Sequence, residues 1–295
     1  MPLAAPTIQI VNALPKLLPR AADSNKGSFG RVLVVAGSRG MSGAAILCAS
    51  AVLRAGAGLV KVAVPSEILP IVAAGNPCYT TLGLPQDADG RIAETALAPL
   101  MKQMETHDVL AIGPGLDRGP GLTALVTELT TRCPKPMVLD ADGLNAFAGQ
   151  ADKLRCGGFP RILTPHPGEF ARLVQLNTQT VQTRRQELAV TFARDHECVV
   201  ALKGHATIVT DGRRVFENQT GNPGMATGGT GDVLTGVIAA LVGQALSIFD
   251  AAQLGVHVHG AAGDLARDQV GEISLIATDL LDFLPAAIRR CVEGK

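Results

Sequence analysis

The order of apolar and polar positions divides the chain into short apolar runs and longer amphipathic stretches. RVLVVAG (31–37), LVKVAV (59–64), DVLAIGPG (108–115), PMVLDADG (136–143), RILTPH (161–166) and CVVALKG (198–204) are runs of strand length that end in glycine or polar residues. Between them lie stretches with helical spacing: SGAAILCASAVLRAGAG (42–58), GEFARLVQ (168–175) and RRQELAVTFARDH (184–196). ATIVTDGRRVFENQ (206–219) reads as a hairpin turning at Asp211 and Gly212. From Thr230 onward only helices are expected, in DVLTGVIAALVGQ, FDAAQLGVHVHGAAGDLARDQ and ATDLLDFLPAAIRR.

Strands alternating with helices predict a mostly parallel sheet covered on both faces. Continuous apolar runs such as VLVVA and VVAL suit strands buried on both sides. No linker or repeat divides the chain, so one domain is expected. Ligands in such folds bind beyond the carboxyl ends of the strands. GSRGMSGAA, GPG, DADG, TPHPGE, KGHAT and NPGMATGGTGD all fall there.

Composition narrows the function. The chain has 295 residues, formal net charge zero, nine Phe and Tyr residues in total, and no Trp. Neither a basic stripe nor a base-stacking surface is implied, so nucleic acid is not an expected partner. The six cysteines show no CxxC pair, which argues against a zinc site or disulfide scaffold and for a reducing, cytoplasmic setting. The first twenty residues lack the layout of a signal peptide, and no apolar run is long enough to span a membrane.

The densest chemistry lies in NPGMATGGTGDVLTG (222–236). The first amides of a helix have no intrahelical partner and carry partial positive charge. Gly228, Gly229, Thr230 and Gly231 would let that backbone close on an anion, such as a phosphate in transfer. Asp232 beside it would accept a proton from a hydroxyl. The plainer alternative is a glycine-rich turn with Asp232 as a helix cap. The other patches at strand ends favour the anion site. No Walker loop occurs, and neither GPGLDRG nor AGAG has dinucleotide-site spacing.

Other candidates are weaker. Lys203 in KGHAT has the charge to neutralise a polyphosphate, yet such a lysine is more often a turn residue. Glu169 in TPHPGEF has the chemistry to hold Mg²⁺ through water, although a first-turn glutamate favoured by the helix dipole is the commoner case. Asp140 and Asp142 offer the same choice. His257 and His259, two apart on a helix, face different directions and read as packing residues.

KGSFGRVLVVAGS, MSGAA, VLRAGAGLV, GPGL, VLDADGLN, LTPHPGEF, LKGHATIV and NPGMATGGTGDVLTG together resemble the ADP-dependent NAD(P)H-hydrate dehydratases, from about Lys26 to the C-terminus. The resemblance implies a ribokinase-like fold over 26–295, after a lead segment at 1–25. It implies a lyase that repairs the S epimer of hydrated NADH or NADPH. ADP would phosphorylate the ring hydroxyl, phosphate would leave, and NAD(P)H, AMP and phosphate would result, with Mg²⁺ as cofactor. By the same resemblance Asp232 takes the hydroxyl proton, and Gly229, Thr230 and Gly231 form the anion hole. Lys203, Gly204, His205, Ala206, Thr207 and Gly231 meet the adenine nucleotide. Ala44, Ala45, Gly115, His166 and Asp232 line the hydrate pocket. A homo-oligomer, with a tetramer favoured, and a separate epimerase acting alongside are further expectations. Vitamin kinases of this fold commonly carry Asn-x-x-Glu where this chain has His166 to Glu169. That departure favours the dehydratase over the alternative, a vitamin-alcohol kinase.

Overall fold

The computed structural model describes residues 8–17, 19–155 and 158–293. Cys156, one of the six cysteines, lies outside them. The strands are β1 (Gln9–Ile10), β2 (Arg31–Val35), β3 (Leu59–Pro65), β4 (Thr80–Leu84), β5 (Val109–Ile112), β6 (Met137–Leu139), β7 (Arg161–Leu163), β8 (Val199–Leu202), β9 (Ile208–Thr210) and β10 (Arg214–Glu217). They form one sheet in the order β1-β10-β9-β8-β7-β6-β5-β2-β3-β4. Only β9 among the described strands runs against its neighbours.

The helices are α1 (Ser42–Arg54), α2 (Leu69–Gly75), α3 (Leu97–Met104), α4 (Pro120–Arg132), α5 (Ala141–Asn145), α6 (Pro167–Val174), α7 (Thr178–Thr183), α8 (Arg185–Asp195), α9 (Thr230–Gly243), α10 (Ile248–Val270) and α11 (Ala277–Glu293). They divide between the two faces because strand side chains alternate. Val32 and Val34 face a core built with α1, α9, α10 and α11. Leu33 and Val35 face a second core with α3, α4, α6 and α8. Both sides of β2 are therefore dry, which is why its run is continuously apolar.

The parallel sheet covered on both faces is the expected one. Two strands were not foreseen. β4 carries TTLGL without the glycine-and-acid ending of the other runs, and β1 is a two-residue edge strand beside β10. Through β1 the segment before residue 26 joins the sheet, and Gln253 Nε2 also donates to the Ala13 carbonyl at 2.7 Å. The chain reverses its winding between β2 and β5, the kind of place where such sheets open a crevice.

Candidate active site

Five parallel strands, β2, β5, β6, β7 and β8, deliver loops to one end of the sheet. The loops after β2 and β5 are tied together: Gly37 N donates to the Pro114 carbonyl at 2.8 Å, and Ser38 Oγ to the Gly115 carbonyl at 2.9 Å. A Cβ on Gly115 would stand 2.8 Å from the Ala44 side chain and 3.0 Å from the Met41 carbonyl. This places Gly115 and Ala44 side by side. Ala45 is different. It is fully buried in the core beneath Gly37, so its side chain offers no surface to a ligand.

The next strands bring a charge cluster. Asp140, at the end of β6, is buried, and both its oxygens are engaged. Lys203 Nζ donates to Oδ1 at 2.7 Å, and Thr235 Oγ1 to Oδ2 at 2.7 Å. Lys203 Nζ also lies 3.9 Å from Glu169 Oε2. Burial opposes the Lys203 ammonium, but Asp140 and Glu169 outweigh it and raise its pKa. Its charge is thus already engaged by two carboxylates of the protein. Sequence gave no sign of this pairing across 63 positions.

Glu169 belongs to a capping box at the start of α6. The His166 backbone N donates to Glu169 Oε2 at 2.8 Å, and the Gly168 N donates to His166 Nδ1 at 3.0 Å. With Nδ1 accepting, the single proton of neutral His166 belongs on Nε2, which faces Glu169 Oε1 at 3.2 Å. Burial, then Lys203, keeps the His166 pKa below its usual value. Burial raises that of Glu169, with Lys203 opposing.

The glycine-rich stretch enters α9 as anticipated. Gly229 is its N-cap, with φ of +91°. A Cβ there would meet Leu47 Cδ1 at 2.5 Å, so both backbone and packing call for glycine. Gly228 has open space around it. At Gly231 the constraint is a neighbour: a Cβ would lie 3.2 Å from Lys203 Nζ. The Thr230 hydroxyl is shared between the Met225 and Thr227 carbonyls, at 3.0 and 3.1 Å. Its side chain holds the loop's shape, while the first backbone N–H groups of the helix have no intrahelical partner.

Asp232 lies in that first turn, half-buried, with no hydrogen-bond partner for its carboxylate among the described residues. Its pKa is pushed up to about 7, first by burial and then by Asp140, with Lys203 pulling the other way. A carboxylate poised near neutrality beside the unpaired N–H groups of a helix start has the properties of a general base.

Residues 203–207 form the loop between β8 and β9. Lys203 N donates to the Pro165 carbonyl at 2.8 Å, and Thr207 Oγ1 to the Gly204 carbonyl at 3.0 Å. Gly204 and His205 are exposed, while Ala206 adopts a φ of +52°. Arg185, which the sequence reading passed over, clamps this loop from α8. Its guanidinium donates to the carbonyls of Leu202 (3.0 Å), Lys203 (3.3 Å) and His205.

Comparison with known proteins gives a consistent result. A family profile described as NAD(P)H-hydrate dehydratase matches residues 32–286. The bifunctional NAD(P)H-hydrate repair enzyme of Moorella thermoacetica is 48% identical over 276 residues, covering 93% of this chain and 52% of that protein. The chain thus spans about half the length of that relative. The ADP-dependent (S)-NAD(P)H-hydrate dehydratase of Neisseria meningitidis is 38% identical, covering 91% of this chain and 87% of that protein. Among solved structures, the ADP/ATP-dependent NAD(P)H-hydrate dehydratase of Bacillus subtilis, co-crystallised with ATP and Mg²⁺, has a TM-score of 0.78 and 31% identity. The match covers 93% of this chain and 95% of that one.

Proposed function

This chain belongs to the NAD(P)H-hydrate dehydratase family and has its ribokinase-like α/β fold, and we propose that it dehydrates the S epimer of hydrated NADH or NADPH at the expense of ADP. The observation that carries this reading is Asp232: unpartnered among the described residues, half-buried, poised near pH 7, and set in the first turn of α9. A nucleotide-binding protein without chemistry has no need of that carboxylate.

In the proposed reaction Asp232 accepts the proton of the ring hydroxyl as its oxygen attacks the terminal phosphorus of ADP. The bond from that phosphorus to AMP breaks. Charge on the transferring group falls on the N–H groups at the start of α9, where Gly229 and Gly231 allow close approach. The ring carbon's bond to the phosphorylated oxygen then breaks, and phosphate leaves with that oxygen. The ring nitrogen's lone pair supplies the push, the neighbouring carbon loses a proton, and the conjugated dihydropyridine returns. The products are NAD(P)H, AMP and phosphate.

Mg²⁺ would neutralise nucleotide phosphates. No group of three or more Asp, Glu, His or Cys among the described residues is arranged to hold a metal. Asp140 is taken by Lys203 and Thr235, and Glu169 by His166. The ion therefore fits as a partner of the nucleotide, meeting this protein through water, and Glu169 supports it at most in that outer position.

Lys203, Gly204, His205, Ala206 and Thr207 are proposed to line the adenine nucleotide. Ala44, Gly115 and His166 are proposed to line the hydrate. A homo-oligomer is supported by the exposed apolar side chains of Val270, Ile273 and Ile276 in the α10–α11 region, and light scattering at micromolar concentration tests it. A cytoplasmic setting and functional pairing with an epimerase activity are part of the same reading. No helix among the described residues is long and apolar enough to cross a membrane. The direct test mixes hydrated NADH, Mg²⁺ and either ADP or ATP with the protein. Return of reduced-nicotinamide absorbance supports the reading, and its absence with both nucleotides refutes it.

A further inference from the structure

The helix α10 lies along the whole stretch that leads into α9. Its carbonyls at Val256 and His257 accept from Asn218 Nδ2 (3.3 Å) and Thr220 Oγ1 (2.8 Å). Its small residues admit that stretch closely: a Cβ on Gly260 would strike Thr220, and one on Gly263 would strike Met225. Asp264 accepts from Gly221 N at 2.9 Å and from Asn222 Nδ2 at 3.0 Å. The last contact is made by His259, whose Nε2 stands 2.9 Å from the Thr230 carbonyl oxygen.

That contact reaches the anion site through one peptide group. The Thr230 carbonyl and the Gly231 N–H belong to the same planar trans peptide and point in opposite directions. A donor fixed on the carbonyl oxygen therefore fixes the direction of the N–H. It also polarises the group, so the N–H becomes a better donor. A carbonyl oxygen accepts only, so the imidazole must carry its proton on Nε2. Burial supports this, pushing the His259 pKa down to about 4, so the ring is neutral near pH 7.

We infer that His259 is a positioning residue of the anion site, donating from Nε2 to the Thr230 carbonyl and thereby aiming the Gly231 N–H at the transferring phosphoryl group. This inference rests on the functional reading above. It also revises the expectation that His259 merely packs. The ring is not a ligand or an acid in the reaction; it acts through the peptide it holds.

The test compares His259→Leu, which removes the donor at nearly equal volume, with His259→Gln, whose amide can reach the same carbonyl. His259→Asn, polar but too short, replaces the leucine variant if that fails to fold. Turnover of hydrated NADH with ADP, melting temperature and ADP affinity by calorimetry are measured on the full chain. The donorless variant should melt normally, lose about tenfold in kcat, below the 10²–10³ typical of deleting an oxyanion donor outright, and keep its KM for the hydrate within about twofold. The glutamine variant should recover most of the loss. A folded donorless variant with normal kcat, or a glutamine variant as impaired as the leucine one, overturns the inference. If the unmodified protein turns over no hydrate, the functional reading is what fails. The inference is then judged on ADP affinity, which must fall several-fold in the donorless variant and recover with glutamine.

Discussion

Lys203 Nζ sits 2.7 Å from Asp140 Oδ1, joining the end of β8 to the end of β6 beneath the start of α9. Burial first raises the pKa of Asp232, Asp140 raises it further, and Lys203 pulls it back down. The lysine thus favours the ionised form of Asp232 by its charge.

This arrangement fixes the pH dependence. Asp232 must be ionised to accept a proton, and its pKa is near 7. Turnover should therefore rise as pH increases through about 7. Lys203→Met removes a charge that favours the carboxylate, so the rising limb should move to higher pH. Asp140→Asn removes a repelling charge, so it should move lower. Profiles of kcat/KM for the three proteins check both directions. Shifts of the same sign in both variants would contradict the assignment.

Asp232→Asn should keep the fold and lose about 10²–10⁴-fold in turnover, the usual contribution of a general base. The same variant carries a stability signature. A carboxyl whose folded pKa is raised favours the folded state fully below its unfolded pKa, and that advantage is lost as pH rises through the folded value. The window here runs from about pH 4 to pH 7. At pH 8 the asparagine variant should melt at least about 2 °C above the unmodified protein, and the gap should close as pH falls through that window. A variant equally stable at every pH would show that Asp232 is not held against its charge.

Neighbouring glycines should respond unequally. Gly229→Ala places a Cβ against Leu47 and strains a positive φ. A loss of about 1–3 kcal/mol in stability is expected, together with most activity. Gly228→Ala points into open space and should change stability little. Equal behaviour in denaturant melts would mean that the loop re-forms in another shape.

Arg185→Gln should raise the KM for ADP about tenfold, because charge-assisted hydrogen bonds to the 203–207 loop are lost. The KM for the hydrate should stay within about twofold. Steady-state kinetics with each substrate varied in turn decides it, and a rise confined to the hydrate would place this loop elsewhere in the reaction.

The fold was largely legible because strand runs buried on both faces cannot hide their apolar character: Val32 to Val35 and Val199 to Leu202 announce themselves. β4 escaped because its threonines and glycine are only half-buried or exposed near the sheet edge. At the site, Gly229 and Asp232 were readable from local pattern, since helix starts are local. The partnerships of Lys203 with Asp140, and of His259 with Thr230, were not readable. They join segments 63 and 29 positions apart, and nothing in the spacing of a single chain records such a contact. The Thr230 hydroxyl adds a contact of the same kind: it braces the loop through the Met225 and Thr227 carbonyls, and no local pattern announces it.

In the proposed reaction phosphorylation serves elimination. Inorganic phosphate and reduced-nicotinamide absorbance should be followed together in one cuvette with hydrated NADH, Mg²⁺ and ADP. Phosphate and NADH should appear one for one, with AMP as the spent nucleotide. A stable phosphate ester with no gain in absorbance and no free phosphate would contradict it and mark the protein as a kinase.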